Sequence, residues 1–373
     1  MKKLIYLFVF LTIDFLISNL ILKNTKFWEN QDWENKYWRI PSKIYHHDLL
    51  PNVNVNEKWG GNIIKNIITN SIGFIDKENR IILKDNLKQK RIVLIGDSFI
   101  EGSGLNYENT FAGLLDDYLG KNYEILNSAV GSYSPSIYYK KTEYYLNQGY
   151  KFDQALIFLD VSDIFDELFI KFNNKGNIMT YEERKNRSTI KKTFYFIGRL
   201  LRDNTVTFRT LNLISDKTEI IKNYLKLKFK TSKNLNKSFF KTNRDEVMFY
   251  RMTHIDRGYW TYDNKKFSEI KAGLKQSETY LEKLFELLEK NNISSTLIIY
   301  PWPTQILFGD NYHQNYWENF SKKRGIKFLS LYKFFKSEKT SRFIFDNFIY
   351  GDVHWNKNGT KIVFENVIKN IDF

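Results

Sequence analysis

Five short apolar runs recur along the chain, at residues 91–96, 123–127, 154–159, 295–300 and 326–330. Each is four to six residues long and apolar at consecutive positions, the pattern of a strand buried on both faces of a parallel sheet. Between them the spacing changes to that of helices, over Asn109–Leu119, Pro135–Leu146, Lys265–Glu289, Tyr312–Lys323 and Lys357–Ile368. In the longest, Ile270, Leu274, Leu281, Leu284 and Leu288 fall on related faces. Asn109 or Thr110 is placed to cap the first, and Pro301 and Pro303 stop the fourth strand. Ile81-Ile82-Leu83 reads as a further short strand. Strand and helix in alternation predict one α/β domain over 61–373 with helices on both faces of the sheet. A mainly helical insertion interrupts it at about 167–264.

The other long apolar run is N-terminal. Leu4 to Leu22 is interrupted by Asp14, Ser18 and Asn19. A helix needs about 20 apolar residues to span a bilayer. Asp14 near its centre costs roughly 2.5–3.5 kcal/mol, which the surrounding leucine, isoleucine and phenylalanine can offset. No small-x-small cleavage site follows, so residues 1–24 are expected to be an uncleaved, single-pass signal anchor. Lys2 and Lys3 then stay in the cytoplasm, and the bulk of the chain lies outside it. A buried N-terminal helix is the bland alternative. Residues 25–60 read as a juxtamembrane linker. Its Trp28, Trp33 and Trp38 suit either the lipid–water interface or packing on the domain.

Composition narrows the chemistry. Hydrophobic residues make up 42% and aromatics 17% of the 373, enough for a packed core. With no cysteine, disulfides, thiolate metal sites, iron–sulfur clusters and a cysteine nucleophile are excluded. The formal charge is +15, and 19 of the 57 Lys/Arg fall between Lys171 and Glu246 against 7 of the 42 Asp/Glu. The basic character therefore belongs to the insertion. Thr193–Leu201 and Ile220–Phe229 interleave Lys/Arg with apolar residues there. That suits anionic lipid headgroups, an acidic glycan guided to the site, or a solvated lid without a partner. No nucleic-acid motif is present, and nucleic acid is not expected.

Two separated segments carry candidate catalytic groups. Ser98 lies two residues beyond the first apolar strand, between Gly96 and Gly102, in Gly96-Asp97-Ser98-Phe99-Ile100-Glu101-Gly102. A turn at the carboxyl end of a parallel strand is where ligands gather, and a following helix aims free amides at it. The loop lacks the lysine and spacing of a phosphate-binding P-loop and the Gly-x-Gly-x-x-Gly of a dinucleotide site. The second segment is Gly351-Asp352-Val353-His354-Trp355-Asn356. Of the five histidines (His46, His47, His254, His313 and His354), His354 alone has an acid two residues before it and a turn-then-helix signal after it. A general base needs a carboxylate or carbonyl to fix its tautomer. Ser98, His354 and Asp352 are thus candidates for nucleophile, base and orienting acid. A metal pair drawing on Asp310 and His313 and a capping loop are the alternatives for the second segment. Neither metal nor cofactor is required.

With these motifs in this order, the chain resembles the SGNH, or GDSL-type, hydrolases over most of 60–373. Gly96-Asp97-Ser98 matches that family's first block, with Phe99 in place of leucine. Asn127-Ser128-Ala129-Val130-Gly131-Ser132-Tyr133-Ser134 looks like the second, whose glycine donates a backbone amide to the oxyanion. In strict register that glycine falls on Ser132, with Gly131 one place early. Leu159-Asp160-Val161-Ser162-Asp163 looks like the third block, with Ser162 where the family has the oxyanion asparagine. Asp352 and His354 match the last, two residues apart where many members have three. Thr69-Asn70-Ser71-Ile72-Gly73-Phe74 resembles a lead-in of membrane-anchored members, which often add or remove O-acyl groups on cell-surface polysaccharides. The resemblance implies a flavodoxin-like α/β/α sandwich around a five-stranded parallel sheet. It also implies a Ser98–His354–Asp352 triad with an oxyanion hole from Gly131, Ser132 and Ser162. The implied activity is that of an ester hydrolase or O-acyltransferase acting on acyl esters of a carbohydrate or lipid. A catalytically weak polysaccharide-binding relative in an envelope assembly or export system is the other expectation.

Overall fold

The computed structural model of the chain describes residues 2–22, 37–59, 63–86, 89–180, 240–261 and 264–373, with parts of 197–214. The chain divides into two compact units, residues 1–36 with 185–238, and residues 37–184 with 239–373.

In the first unit, the apolar N-terminal run forms an α-helix, Lys2–Leu16, continued by π-helical turns over Ile17–Leu22. Its polar residues turn inward. Asp14 is 7% exposed and accepts hydrogen bonds from the Val206 and Thr207 amides at 3.0 and 3.2 Å. Asn19 donates to the Asn204 carbonyl at 3.3 Å. Tyr6, Phe8 and Leu20 are instead exposed. No helix among the described residues is long and apolar enough to cross a membrane. Trp28, Trp33, the segment Ile220–Phe229 and most of Thr193–Leu201 lie outside the described residues.

The second unit opens with two antiparallel hairpins. Strand β1 (Arg39–Ser42) pairs with β2 (His46–Leu49), and β3 (Asn54–Trp59) pairs with β4 (Ile63–Ile68). From Tyr37 on, the expected linker is therefore part of this unit, and Trp38 is buried in it. Five parallel strands follow: β5 (Lys90–Ile95), β6 (Tyr123–Asn127), β7 (Gln154–Leu159), β8 (Ser294–Ile299) and β9 (Lys327–Ser330), within one residue of the expected runs. Their order across the sheet is β6-β5-β7-β8-β9. Leu94, Leu126, Leu156, Phe158, Leu297 and Ile298 are all 0% exposed, which explains why these strands read as unbroken apolar runs. Burying each such side chain contributes roughly 1.5–3 kcal/mol.

The connection after β5 runs one way across the sheet and those after β6, β7 and β8 the other. Right-handed crossovers then place Phe111–Leu119 and the closing helix Lys357–Asn370 on one face, with Pro135–Asn147, Asn264–Lys290 and Tyr312–Arg324 on the other. This is the flavodoxin-like three-layer α/β/α architecture. Its switch point lies between β5 and β7, so the loops after these strands, beginning at Gly96 and Asp160, flank the crevice. Thr110 caps the helix Phe111–Leu119 through its hydroxyl.

Ile81–Leu83 is not a strand. Arg91, 1% exposed, reaches over with its guanidinium and takes the Leu83 and Lys84 carbonyls at 2.5 and 2.9 Å. Ile81 and Leu83 face solvent. Beyond the insertion, Asn243–Thr253 is helical and belongs to this unit, so the insertion returns to the domain before residue 264.

Candidate active site

The serine loop forms where β5 ends. Asp97 caps a single helical turn, Ser98–Glu101, by accepting from the Phe99 amide, and Gly102 closes it in the left-handed region at φ 84°. That conformation favours glycine. A Cβ on Gly96 would come within 2.9 Å of Ile100, so glycine there lets the turn fold tightly onto β5. The second segment lies between helix Thr340–Asn347 and helix Lys357–Asn370, the latter capped by Asn356.

The structure brings the two segments together. The Ser98 hydroxyl lies 2.8 Å from His354 Nε2, and His354 Nδ1 lies 2.5 Å from Asp352 Oδ1. Asp352 also accepts from the His354 amide at 3.1 Å and from the Trp59 indole N–H at 3.2 Å. The two-residue spacing therefore lets Asp352 orient the ring directly. Burial lowers the His354 pKa, but the Asp352 charge and hydrogen bond outweigh it and leave it above the usual 6.5. Burial alone would raise Asp352; His354 and the other donors bring it down to about 2. The acid thus stays ionised while the base can take a proton.

The loop after β6 passes beside the serine: a Cβ built on Gly131 would lie 3.5 Å from that of Ser98. Val130–Tyr133 is a turn closed by the Tyr133 amide on the Val130 carbonyl, and Ser132 sits in it at φ 64°. That is a position that favours glycine. The Gly131 N–H is already engaged, donating to the Glu101 carboxylate at 2.6 Å. Ser132 is exposed, and its amide has no hydrogen-bond partner among the described residues. Of the two expected backbone donors, the open one is therefore Ser132. Ser162 is 1% exposed and its hydroxyl proton goes to Asp160 Oδ1 at 2.8 Å, so it is not free to meet an oxyanion.

Behind the serine, Asp97, Asp160 and Asp163 place carboxylate oxygens within 4.8 Å of one another, the one cluster among the described residues compact enough to hold a cation. Its oxygens already accept from the Trp302 indole, the Tyr138 hydroxyl and several amides. Burial, then the Asp160 charge, raises Asp97 to about 7 and Asp163 well above the usual carboxylate range. These shifts fit shared protons within the cluster. His313 is fully buried beside the Asp160 backbone, with Nδ1 3.1 Å from the Tyr332 hydroxyl, and is not one of the clustered groups.

Several groups at the site were not evident in sequence. Trp59, Arg39 and His47 come from the two N-terminal hairpins, and Glu101 from the serine's own helical turn. Arg39 binds both Glu101 oxygens at 3.0 and 2.6 Å. Only Glu101 carried a signal: three residues after Ser98 in a helix, it shares that residue's face.

No protein-family model and no curated protein matches the chain. Among solved structures it is similar to a lipolytic protein of the G-D-S-L family from Desulfitobacterium hafniense (12% identity, 76% of this chain and 100% of that one, TM-score 0.37). It is also similar to the acetyl xylan esterase AlAXEase (12% identity, 76% and 100%, TM-score 0.37). A third is the psychrotrophic esterase EstA from Pseudoalteromonas sp. (10% identity, 76% and 96%, TM-score 0.36). At such identities and scores the likeness says nothing of substrate, and the chemistry rests on the site's own geometry.

Proposed function

We propose that this chain is a serine-dependent esterase or O-acyltransferase of the SGNH type, acting on acyl esters of a cell-surface carbohydrate. The observation that carries the reading is the unbroken chain from Ser98 through His354 to Asp352, at 2.8 and 2.5 Å. His354 Nε2 takes the Ser98 proton as the oxygen attacks the ester carbonyl, and Asp352 stabilises the imidazolium. The amides of Ser98 and Ser132 hold the oxyanion. His354 then protonates the leaving alcohol, and water or a sugar hydroxyl, deprotonated by the same ring, releases the acyl group. None of these steps calls on a metal or cofactor. A carbohydrate substrate rests on resemblance to polysaccharide-modifying relatives. Membrane anchoring through the N-terminal helix, with the catalytic unit outside the cytoplasm, is supported by the exposed Tyr6, Phe8 and Leu20 beside an inward Asp14.

A fluorophosphonate probe tests the enzyme reading. Labelling is expected in the unmutated protein and lost in Ser98→Ala and His354→Ala. Well-folded protein that takes no label would instead favour a catalytically weak, polysaccharide-binding domain. The engaged Ser162 hydroxyl favours that second reading, because a lost oxyanion donor costs about 2.7–4 kcal/mol. Product analysis with a sugar acceptor present separates transferase from esterase.

A further inference from the structure

The loop that offers the Ser132 amide is held from both sides by side chains outside the triad. Gly131 belongs to two peptide groups. The N–H of the first donates to Glu101 Oε2 at 2.6 Å. The carbonyl of the second, whose N–H is that of Ser132, lies 2.9 Å from His47 Nε2. A carbonyl only accepts, so Nε2 carries the proton. His47 Nδ1 is then the acceptor of the 2.6 Å contact from His46 Nδ1. No cis peptide occurs among the described residues, so fixing the Gly131 carbonyl on His47 turns the Ser132 N–H to the opposite side.

Both clamps are anchored. Glu101 is 1% exposed, bound bidentately by Arg39 and lies 3.5 Å from Lys65. Burial would raise its pKa, and these two cations hold it well below the ordinary range. The backbone carbonyl of His47 accepts from Tyr133 at 2.7 Å, and the two rings meet edge to face. Burial lowers the His47 pKa to about 4, so the ring is neutral.

We propose that Glu101 and His47 are positioning residues for this reaction, pinning the two peptides of Gly131 so that the Ser132 N–H is pre-aimed at the oxyanion. The proposal rests on the esterase reading above and extends it to a device outside the triad. A preorganised donor acts mainly in the transition state. Its loss therefore lowers kcat and leaves KM nearly unchanged.

The test compares Glu101→Leu, His47→Phe and His47→Gln in the full chain, with p-nitrophenyl acetate as substrate. A short-chain trifluoromethyl ketone mimics the oxyanion, and the matching methyl ketone serves as ground-state control. His47→Phe and Glu101→Leu, which remove the donor and the acceptor, are expected to lower kcat about tenfold or more and to weaken the trifluoromethyl ketone by the same factor. The methyl ketone should bind as before. His47→Gln, whose amide can still donate to the carbonyl, should recover most of the loss. Unchanged kcat, an unchanged trifluoromethyl ketone, or equal losses in His47→Phe and His47→Gln would each overturn the clamp. Hydrogen exchange over 128–134 provides a reading independent of turnover, with faster exchange expected in Glu101→Leu and His47→Phe. Unchanged exchange overturns the clamp even if the protein turns over no ester. Absence of turnover in the unmutated protein counts against the esterase reading alone.

Discussion

Ser98 has one hydroxyl proton and two acceptors within reach, His354 Nε2 at 2.8 Å and Asp97 Oδ2 at 2.9 Å. When Asp97 is protonated it can donate to the serine oxygen and leave the serine proton to His354. Burial and the Asp160 charge raise Asp97 to about 7 from an ordinary 3.8. Between about pH 4 and 7 the folded protein therefore keeps a proton that the unfolded chain releases. Stability from this group is full below pH 4, falls as pH rises to about 7, and changes little beyond. Asp97→Asn removes the titration and keeps an oxygen for the Phe99 amide. The variant should gain on the unmutated protein by on the order of 2–3 kcal/mol between pH 5 and pH 8, measured by urea unfolding at each pH. A difference that does not vary with pH would sink this account. Sequence marked Ser98, Asp352 and His354 because a strand-end serine and a late acid–histidine pair carry local signals. It could not mark Asp97 as a proton holder, because that follows from Asp160 and Asp163 arriving from another strand's end.

The two N-terminal hairpins reach the site through Arg39, His47, Trp59 and Lys65, and Lys141 ties the first of them to the loop after β6. Lys141, 3% exposed in helix Pro135–Asn147, donates to Asp48 at 2.7 Å, the Ser128 carbonyl at 2.9 Å and the Tyr133 hydroxyl at 3.1 Å. Lys141→Met leaves the buried Asp48 charge without its cation. It should lower unfolding stability by about 3–5 kcal/mol, measured by denaturant titration, and a loss under 1 kcal/mol would contradict the assignment. The sheet and its major helices were legible because each strand is apolar on both faces and each long helix on one. The hairpins were not. β1 reads Arg-Ile-Pro-Ser and β2 His-His-Asp-Leu, polar strings whose partners are single buried charges. Such pairing depends on tertiary contact, not on period.

At the scale of the whole chain, the first unit inverts the usual burial order. Phe8 and Leu20 are 72% and 73% exposed, and Ser18 is 0% exposed. Exposed apolar surface of this kind marks an interaction site, and the partner proposed for it above is a bilayer. The full chain should float with phospholipid vesicles on a density gradient, and Phe8→Asp with Leu20→Asp should abolish flotation. Flotation that survives both changes would place the attachment elsewhere. Sequence carried the apolar run itself, but not the Asp14 cap, which depends on amides some 190 residues away. The candidate site spans similar separations, 256 positions from Ser98 to His354 and 293 from Trp59 to Asp352. Ribosomes add roughly 5–20 residues each second. Trp59 is therefore made about 15–60 seconds before its carboxylate partner exists. A nascent chain holding only the serine half has a nucleophile with no base, so the proposed ester cleavage has to wait until the segment carrying Asp352 and His354 has been made and docked.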